Sequence, residues 1–393
     1  MTRYGWLFVA FWPLAAMGQA PAPGSGPASA PDALAIIKAE AESARDSFHN
    51  AIRELRKETF DAGVKAASEA RRVRQLSLMD RALTLARLHP GDSEGLAAAT
   101  WVVTETALAG VHDVGGRDDA AYRLLADNPV LDDTAMVPAI FLADDLVPRC
   151  PEAENFLRSV ISRSRNRELV TLARCELGFY LAEMARMHDR LGAPISGPAL
   201  TKELNEVRLD RCRAIDAPKL RTEAEALLEQ VVREDAELGL NVGQPAAGEL
   251  YRIRNLNIGQ PAPELIGEDI DGAPFWLSEF RGKVVVLSFW TTSSDPQRGK
   301  DLLAAMKGRP FALVGVNGDA EDDRAKVQEF IAKEGITWRS FWAGGPDGKI
   351  PRKWGVRSWP TAYVIDAAGI IRDDQVGEKV DPEALRPLIQ AAE

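Results

Sequence analysis

The sequence predicts an α + α/β protein: an all-helical N-terminal domain of helical hairpins, followed by an α/β domain built on a central sheet. Three observations carry this. From about Asp32 to Leu240 apolar residues recur at helical spacing, as in ALAIIKAEAESARDSFHNAIREL, and no period-two run interrupts them. Beyond about Ile258 short apolar runs alternate with helical patterns, which implies a sheet covered on both faces. A length of 393 residues also exceeds what one ordinary core holds.

At the N-terminus, Arg3 precedes an apolar run from Trp6 to Met17 and small residues at Ala16 and Gly18, so residues 1–18 read as a secretory signal. The alternative is a membrane anchor. The run falls short of the roughly 18 residues a spanning helix needs, and Pro13 interrupts it, so no stable membrane span is expected after processing. The expected location is outside the cytoplasm, in the periplasm or cell envelope. Residues 19–31, with PAPGSGPASAP, form a Pro/Ala-rich linker that cannot bury a core.

The helical domain, residues 32–240, contains three stretches that give a helix, a polar break and a second helix. The breaks fall at His89-Pro90, Asn128-Pro129 and Arg165-Asn166, a spacing suited to stacked helix pairs, with an irregular bundle as the alternative. Gly and Pro at intervals mark residues 241–257 as a linker. From residue 258 to 393, strands are expected at Phe275–Leu277, Val284–Trp290, Phe311–Asn317, Ala362–Asp366 and Ile370–Val376. Helices are expected at Gln297–Met306, Glu321–Lys333 and Pro382–Ala392, and turns at Asp271-Gly272 and Ala368-Gly369.

A formal net charge of −10, with no concentration of Lys and Arg, excludes nucleic acid as a partner. The three cysteines, Cys150, Cys175 and Cys212, are too few and too scattered for a disulfide framework and read as small buried hydrophobes. AGGPDGKI lacks the first Gly and the Ser or Thr of a phosphate loop, and NGDAEDD reads as a strand end and a helix first turn. No metal and no cofactor are expected.

Four motifs, in order, carry a family resemblance over about Asn257 to Glu393: IGQPAPEL, DIDGAPFWLSEFRGKVVVLSFW, FALVGVNGD and GVRSWPTAYVID. They resemble the thioredoxin-like redoxins of the TlpA and ResA type, which are related to the AhpC/TSA peroxiredoxins. The resemblance implies a thioredoxin fold with a central mixed sheet, a cis proline at Pro360 and thiol-disulfide oxidoreductase or peroxidase chemistry. In those relatives F-W is followed by A-T-W-C-x-P-C-R. Here the segment is SFWTTSSDPQR, so Ser294 stands at the first Cys and Gln297 at the second.

Thiol–disulfide exchange needs an attacking thiolate and a resolving sulfur. A Cys at a helix N-terminus supplies the first because its pKa falls from about 8.5 into the range of about 3.5 to 7.5. An alcohol needs a general base instead, and the four histidines are His49, His89, His112 and His188, none in the α/β domain. Whether the chain is an enzyme is thus left open: the family implies it and the catalytic cysteines are absent. Asp295 is suited to cap the helix and Pro296 to begin it. Binding remains open at Trp290, Ser294, Asp295, Trp359 and Pro360, where an extended peptide or partner protein could lie; the alternative is that the tryptophans fill the core.

Three functions follow. The first is an exported redoxin-domain protein with a degenerate site and a binding or scaffolding role. The second is an active oxidoreductase or antioxidant redoxin using a non-standard or partner-supplied thiol. The third is a helical-repeat interaction protein capped by the redoxin domain.

Overall fold

The computed structural model describes residues 33–53, 60–109, 116–356, 358–376 and 380–393. The segments read as signal and Pro/Ala-rich linker lie outside these residues. The chain divides into two compact units, Met1–Tyr180 and Leu181–Glu393, each taken by itself below.

The first unit holds α1 (Ala33–Arg53), α2 (Phe60–Leu88), α3 (Ser93–Ala109), α4 (Arg117–Asp127), α5 (Val137–Phe141), α6 (Pro151–Arg163) and the start of α7 (Arg167–Gly192). Successive helices pack on one another, α1 on α2, α2 on α3 and α3 on α4, and α4 packs on α6. The expected breaks are present and each is shaped by a side chain, Asp92 and Asn166 accepting from N–H groups at helix starts and Asn128 holding the turn after α4. Asp92 Oδ1 accepts the N–H groups of Glu94 and Gly95 at 3.0 and 3.0 Å. Asn128 Oδ1 accepts from Val130 at 2.8 Å, and Asn166 Oδ1 from Glu168 at 3.0 Å. The middle pair departs from a full hairpin, because α5 is only 5 residues long and carries a proline in its first turn.

The second unit begins inside α7 and continues with α8 (Gly197–Glu203), α9 (Glu206–Ala214), α10 (Ala217–Leu238) and α11 (Gly243–Asn255). Helix α10 stops at Gly239, which takes φ 67°, a conformation only glycine adopts without strain. The stretch 241–257, read as a linker, instead carries α11. Its Gly and Pro sit in the first turn, where Asp235 accepts the N–H groups of Val242 and Gly243 at 3.3 and 2.9 Å. Ala246, Leu250 and Ile253 then bury one helical face.

Seven strands follow: β1 (Ile266–Glu268), β2 (Pro274–Trp276), β3 (Val284–Trp290), β4 (Phe311–Asn317), β5 (Ser340–Trp342), β6 (Thr361–Ile365) and β7 (Ile371–Val376). Helices α12 (Gln297–Ala305), α13 (Arg324–Glu334), α14 (Lys349–Lys353) and α15 (Arg386–Ala392) lie between and after them. β1 and β2 form an antiparallel pair, and the others a mixed sheet in the order β5-β4-β3-β6-β7. β4 runs parallel to β3 and β5, while β6 is antiparallel to β3 and β7. This is a thioredoxin fold.

Every residue of the central strand β3 is buried, so it reads as a run that is apolar except at Ser288 and has two faces. Val285, Leu287 and Phe289 join a core with Phe275, Phe341, Trp354 and Tyr363. Val284 and Val286 join Leu302 of α12, Val364 and Ile389 on the opposite face. The short strands β1 and β5 and the helix α14 were not expected; at 3, 3 and 5 residues they are too brief to show a period.

Candidate functional site

Parallel pairing of β3 and β4 brings their C-terminal ends to one edge, where the Gly318 N–H donates to Trp290 O at 2.9 Å. The Thr291–Pro296 loop starts there and α12 follows. Asp319 anchors the loop: its carboxylate accepts the Thr292 N–H and hydroxyl, each at 2.9 Å, and the Asn317 side-chain amide at 2.8 Å. Inside the loop the Ser294 N–H donates to Thr291 O at 2.9 Å, and Ser294 Oγ accepts the Thr291 N–H at 3.1 Å. Asp295 Oδ1 accepts the Gln297 N–H at 3.0 Å, so Asp295 provides the cap bond and Pro296 is the flanking residue. The Gln297 side chain is exposed and donates to Asp301 at 2.7 Å.

The Trp359–Pro360 bond is cis, as the resemblance implies. Trp359 lies edge-on to Phe289 at 6.1 Å and so close to Gly318 that a Cβ there would stand 2.2 Å from the indole. Trp290 is buried on the other face of β3, 6.4 Å from Trp338, and its indole N–H donates to Ser340 Oγ at 3.1 Å. The two tryptophans therefore do not line one groove. Trp290, Ser294 and Asp295 instead share a cavity of about 370 Å³ between α12 and the sheet, and Trp359 and Pro360 are not among its lining residues.

Sequence reasoning missed a cluster of buried charges in this unit. Asp373 and Asp374 are adjacent in β7 and 0 % and 7 % exposed. Asp374 is flanked by Arg252 at 3.2 Å, Arg186 at 3.6 Å and Arg190 at 3.7 Å, and Arg186 also binds Glu249 at 2.9 Å. Asp373 accepts the Ser196 N–H at 2.7 Å on one oxygen, and its other oxygen has no partner. Burial, followed by the neighbouring Asp374, pushes the Asp373 carboxyl up to about 6. The available signal was the Asp-Asp pair inside a predicted strand, since adjacent strand residues point to opposite faces and an edge strand cannot expose both if it is covered.

Cys150, Cys175 and Cys212 are buried and unpaired with one another. Burial raises the Cys150 thiol far above its ordinary range, assisted by its bond to Asp119, and burial also raises Cys212. Among the described residues no group of His, Cys, Asp and Glu is placed to hold a metal ion, and no helix is long and apolar enough to cross a membrane.

The AhpC/TSA family model matches residues 258–374. The thioredoxin-like protein YneN of Bacillus subtilis is 30% identical over 136 residues, which span 33% of this chain and 78% of that protein. The chain belongs to the thioredoxin-like redoxin family. Other redoxins agree: the thiol:disulfide interchange protein HelX of Rhodobacter capsulatus is 30% identical over 135 residues, covering 32% of this chain and 75% of HelX. ResA, a thiol-disulfide oxidoreductase of Bacillus thuringiensis, is 26% identical over 137 residues, covering 34% and 77%. The structure of a thiol:disulfide interchange protein DsbE from Chlorobium tepidum is 31% identical and covers 35% of this chain and 99% of that one, with a TM-score of 0.30. The redoxin match ends at the sheet domain, and helices α1 to α11 lie outside the matched residues.

Proposed function

We propose that this chain is an exported redoxin-domain protein whose family site is chemically degenerate and which acts by binding or scaffolding. The observation that carries the reading is the state of Ser294. It stands at the position of the attacking thiol, its oxygen is engaged by the Thr291 N–H, and no histidine follows His188 to act as its base. Gln297, at the resolving position, offers an amide bound to Asp301. A reading in which Cys150, Cys175 or Cys212 supplies the sulfur is disfavoured by their burial, since a thiolate must form and be reached. The surface around Trp359 and Pro360 is the proposed place for an extended peptide or partner protein, with the helical domain as a second interaction surface. Export rests on Arg3 and the Trp6 to Met17 run, and the mature chain would begin near Gln19.

Reduction of a model disulfide by a dithiol tests the chemistry. The parent protein should not accelerate it. The double variant Ser294→Cys with Gln297→Cys, three residues apart across one helical turn, should form a reversible disulfide and accelerate it measurably. Acceleration by a parent from which all three cysteines have been removed would overturn the reading.

A further inference from the structure

The β1–β2 pair has one covered face and one open face. Leu265, Phe275 and Leu277 join the core with Phe341 and Trp354, while the alternate residues Glu264, Ile266, Glu268, Pro274, Trp276 and Ser278 are all exposed. An open sheet face is ordinarily polar. Here its centre is apolar: Ile266 stands directly opposite Trp276, and the two are 65 % and 41 % exposed. The flanking bonds run from the Leu277 N–H to Leu265 O at 3.0 Å and from the Asp269 N–H to Ala273 O at 2.9 Å. Ile266 and Trp276 are thus a non-hydrogen-bonded pair, the kind whose side chains stand closest.

The outer edge of β2 is closed to an added strand. Pro274 has no N–H, its carbonyl accepts from Arg339 at 3.1 Å, and the Trp276 N–H is taken by Glu279 at 3.0 Å. A partner must therefore pack on the side-chain face. The charge around that face selects its kind: Glu264 and Glu268 lie on either side of Ile266 among the exposed residues, and Glu279 adjoins Trp276. Their compensation is thin. Arg324 reaches Glu268 only at 4.0 Å, and Arg339 reaches Glu279 at 3.8 Å while bonded to Asp269 at 2.7 Å. Glu264 bonds a neutral group, the Ser278 N–H, at 3.0 Å. A second copy of this face, or an anionic lipid surface, would set like charges together. A cation beside an exposed indole is favoured instead.

We propose that the open β1–β2 face docks a basic amphipathic helix of a partner protein, an apolar side chain seated on Ile266 and Trp276 and its Lys or Arg side chains on the carboxylates. The surface shares no residue with the Trp359–Pro360 reading, so either can fail alone. The test uses the full chain labelled at the tryptophan indole nitrogens, the Trp276 resonance being the one absent from Trp276→Phe. Its probes are an amphipathic peptide of Leu and Lys and two twins, with Gln or Glu in place of every Lys. The Lys peptide should shift the Trp276 resonance saturably and bind about three- to tenfold more tightly than the Gln twin, with the Glu twin weakest. Its binding should weaken as salt rises from about 50 to about 300 mM. Ile266→Ser and Trp276→Ser should each weaken it about tenfold, read by anisotropy of a labelled peptide. Either variant suffices where the other folds poorly. Absence of a saturable shift at Trp276, including a shift confined to Trp359, would overturn the proposal. So would equal binding of the Lys and Gln peptides, binding unchanged by the Ser variants, or a Trp276 shift produced instead by self-association or by phosphatidylglycerol vesicles.

Discussion

The Thr291–Pro296 loop and the Asp373–Asp374 pair of β7 treat polar groups in opposite ways. In the loop, Thr291, Ser294 and Asp295 make local hydrogen bonds and Thr292 bonds the distant Asp319, all at a half-exposed surface. In β7, two carboxylates are buried, share three arginines unequally, and leave Asp373 Oδ1, Asp374 Oδ1 and Arg190 Nε without hydrogen bonds. Sequence identity with redoxins draws attention to the first region. The electrostatic stress of the domain is in the second. The lesson is that the segment to which sequence identity points and the place where a domain buries its charges need not coincide.

The comparison breaks most readily at Arg252. Removing its charge by Arg252→Met leaves Asp374 and Glu249 short of a buried partner, and urea unfolding should show a loss of about 3–5 kcal/mol. A loss below about 1 kcal/mol would mean that Arg186 and Arg190 already suffice.

Asp373 sharpens it through pH. Its folded pKa, about 6, exceeds the usual Asp value, so the folded chain holds this proton more tightly than the unfolded one. Its contribution is therefore favourable below the unfolded value and is lost as pH rises through about 4 to about 6, because Asp374 and burial oppose the charge while Arg190 and the Ser196 N–H only partly offset it. Asp373→Asn should abolish that slope and stabilise the protein at pH 7 by up to about 3 kcal/mol. Unfolding curves at pH 4.5 and 7 measured on both proteins, with a difference that does not change between them, would contradict this.

The smallest effect belongs to the loop. Ser294→Ala removes one part-exposed bond and should lower stability by only about 0.5–1.5 kcal/mol, with no pH dependence between pH 5 and 8. A larger or pH-dependent loss would show that the loop is not the quiet region described above.

Much of the fold was legible before the structure. β3 and β4 begin and end at the expected residues, because a largely buried central strand writes itself as a mostly apolar run bounded by turns. Gly272 and Gly369 take φ 87° and 84° at the expected turns. The short β1 and β5 were not legible, and α11 was hidden by the Gly and Pro of its own first turn although Ala246, Leu250 and Ile253 carry the helical spacing. In the candidate site, the local bonds of Ser294 and Asp295 follow from residue types three or fewer positions apart. The separation of Trp290 from Trp359 does not, since the face on which Trp359 lies depends on how the segment after α14 returns to the sheet.

By itself the sequence determined the periodicities that select helix and strand, the turns, and the chemical inventory of the segment after β3, where Ser294 is an alcohol and Gln297 an amide, with no cysteine after Cys212 and no histidine after His188. These are properties of composition and short-range spacing, and no folding is needed to read them. Only the tertiary structure decided which charges are buried together and where space is left under α12. Arg252 meets Asp374 across 122 positions and Ser196 meets Asp373 across 177. Contacts at such separations leave no local pattern, because the energy of a buried carboxylate depends on which distant segments exclude water from it and which of their donors reach it.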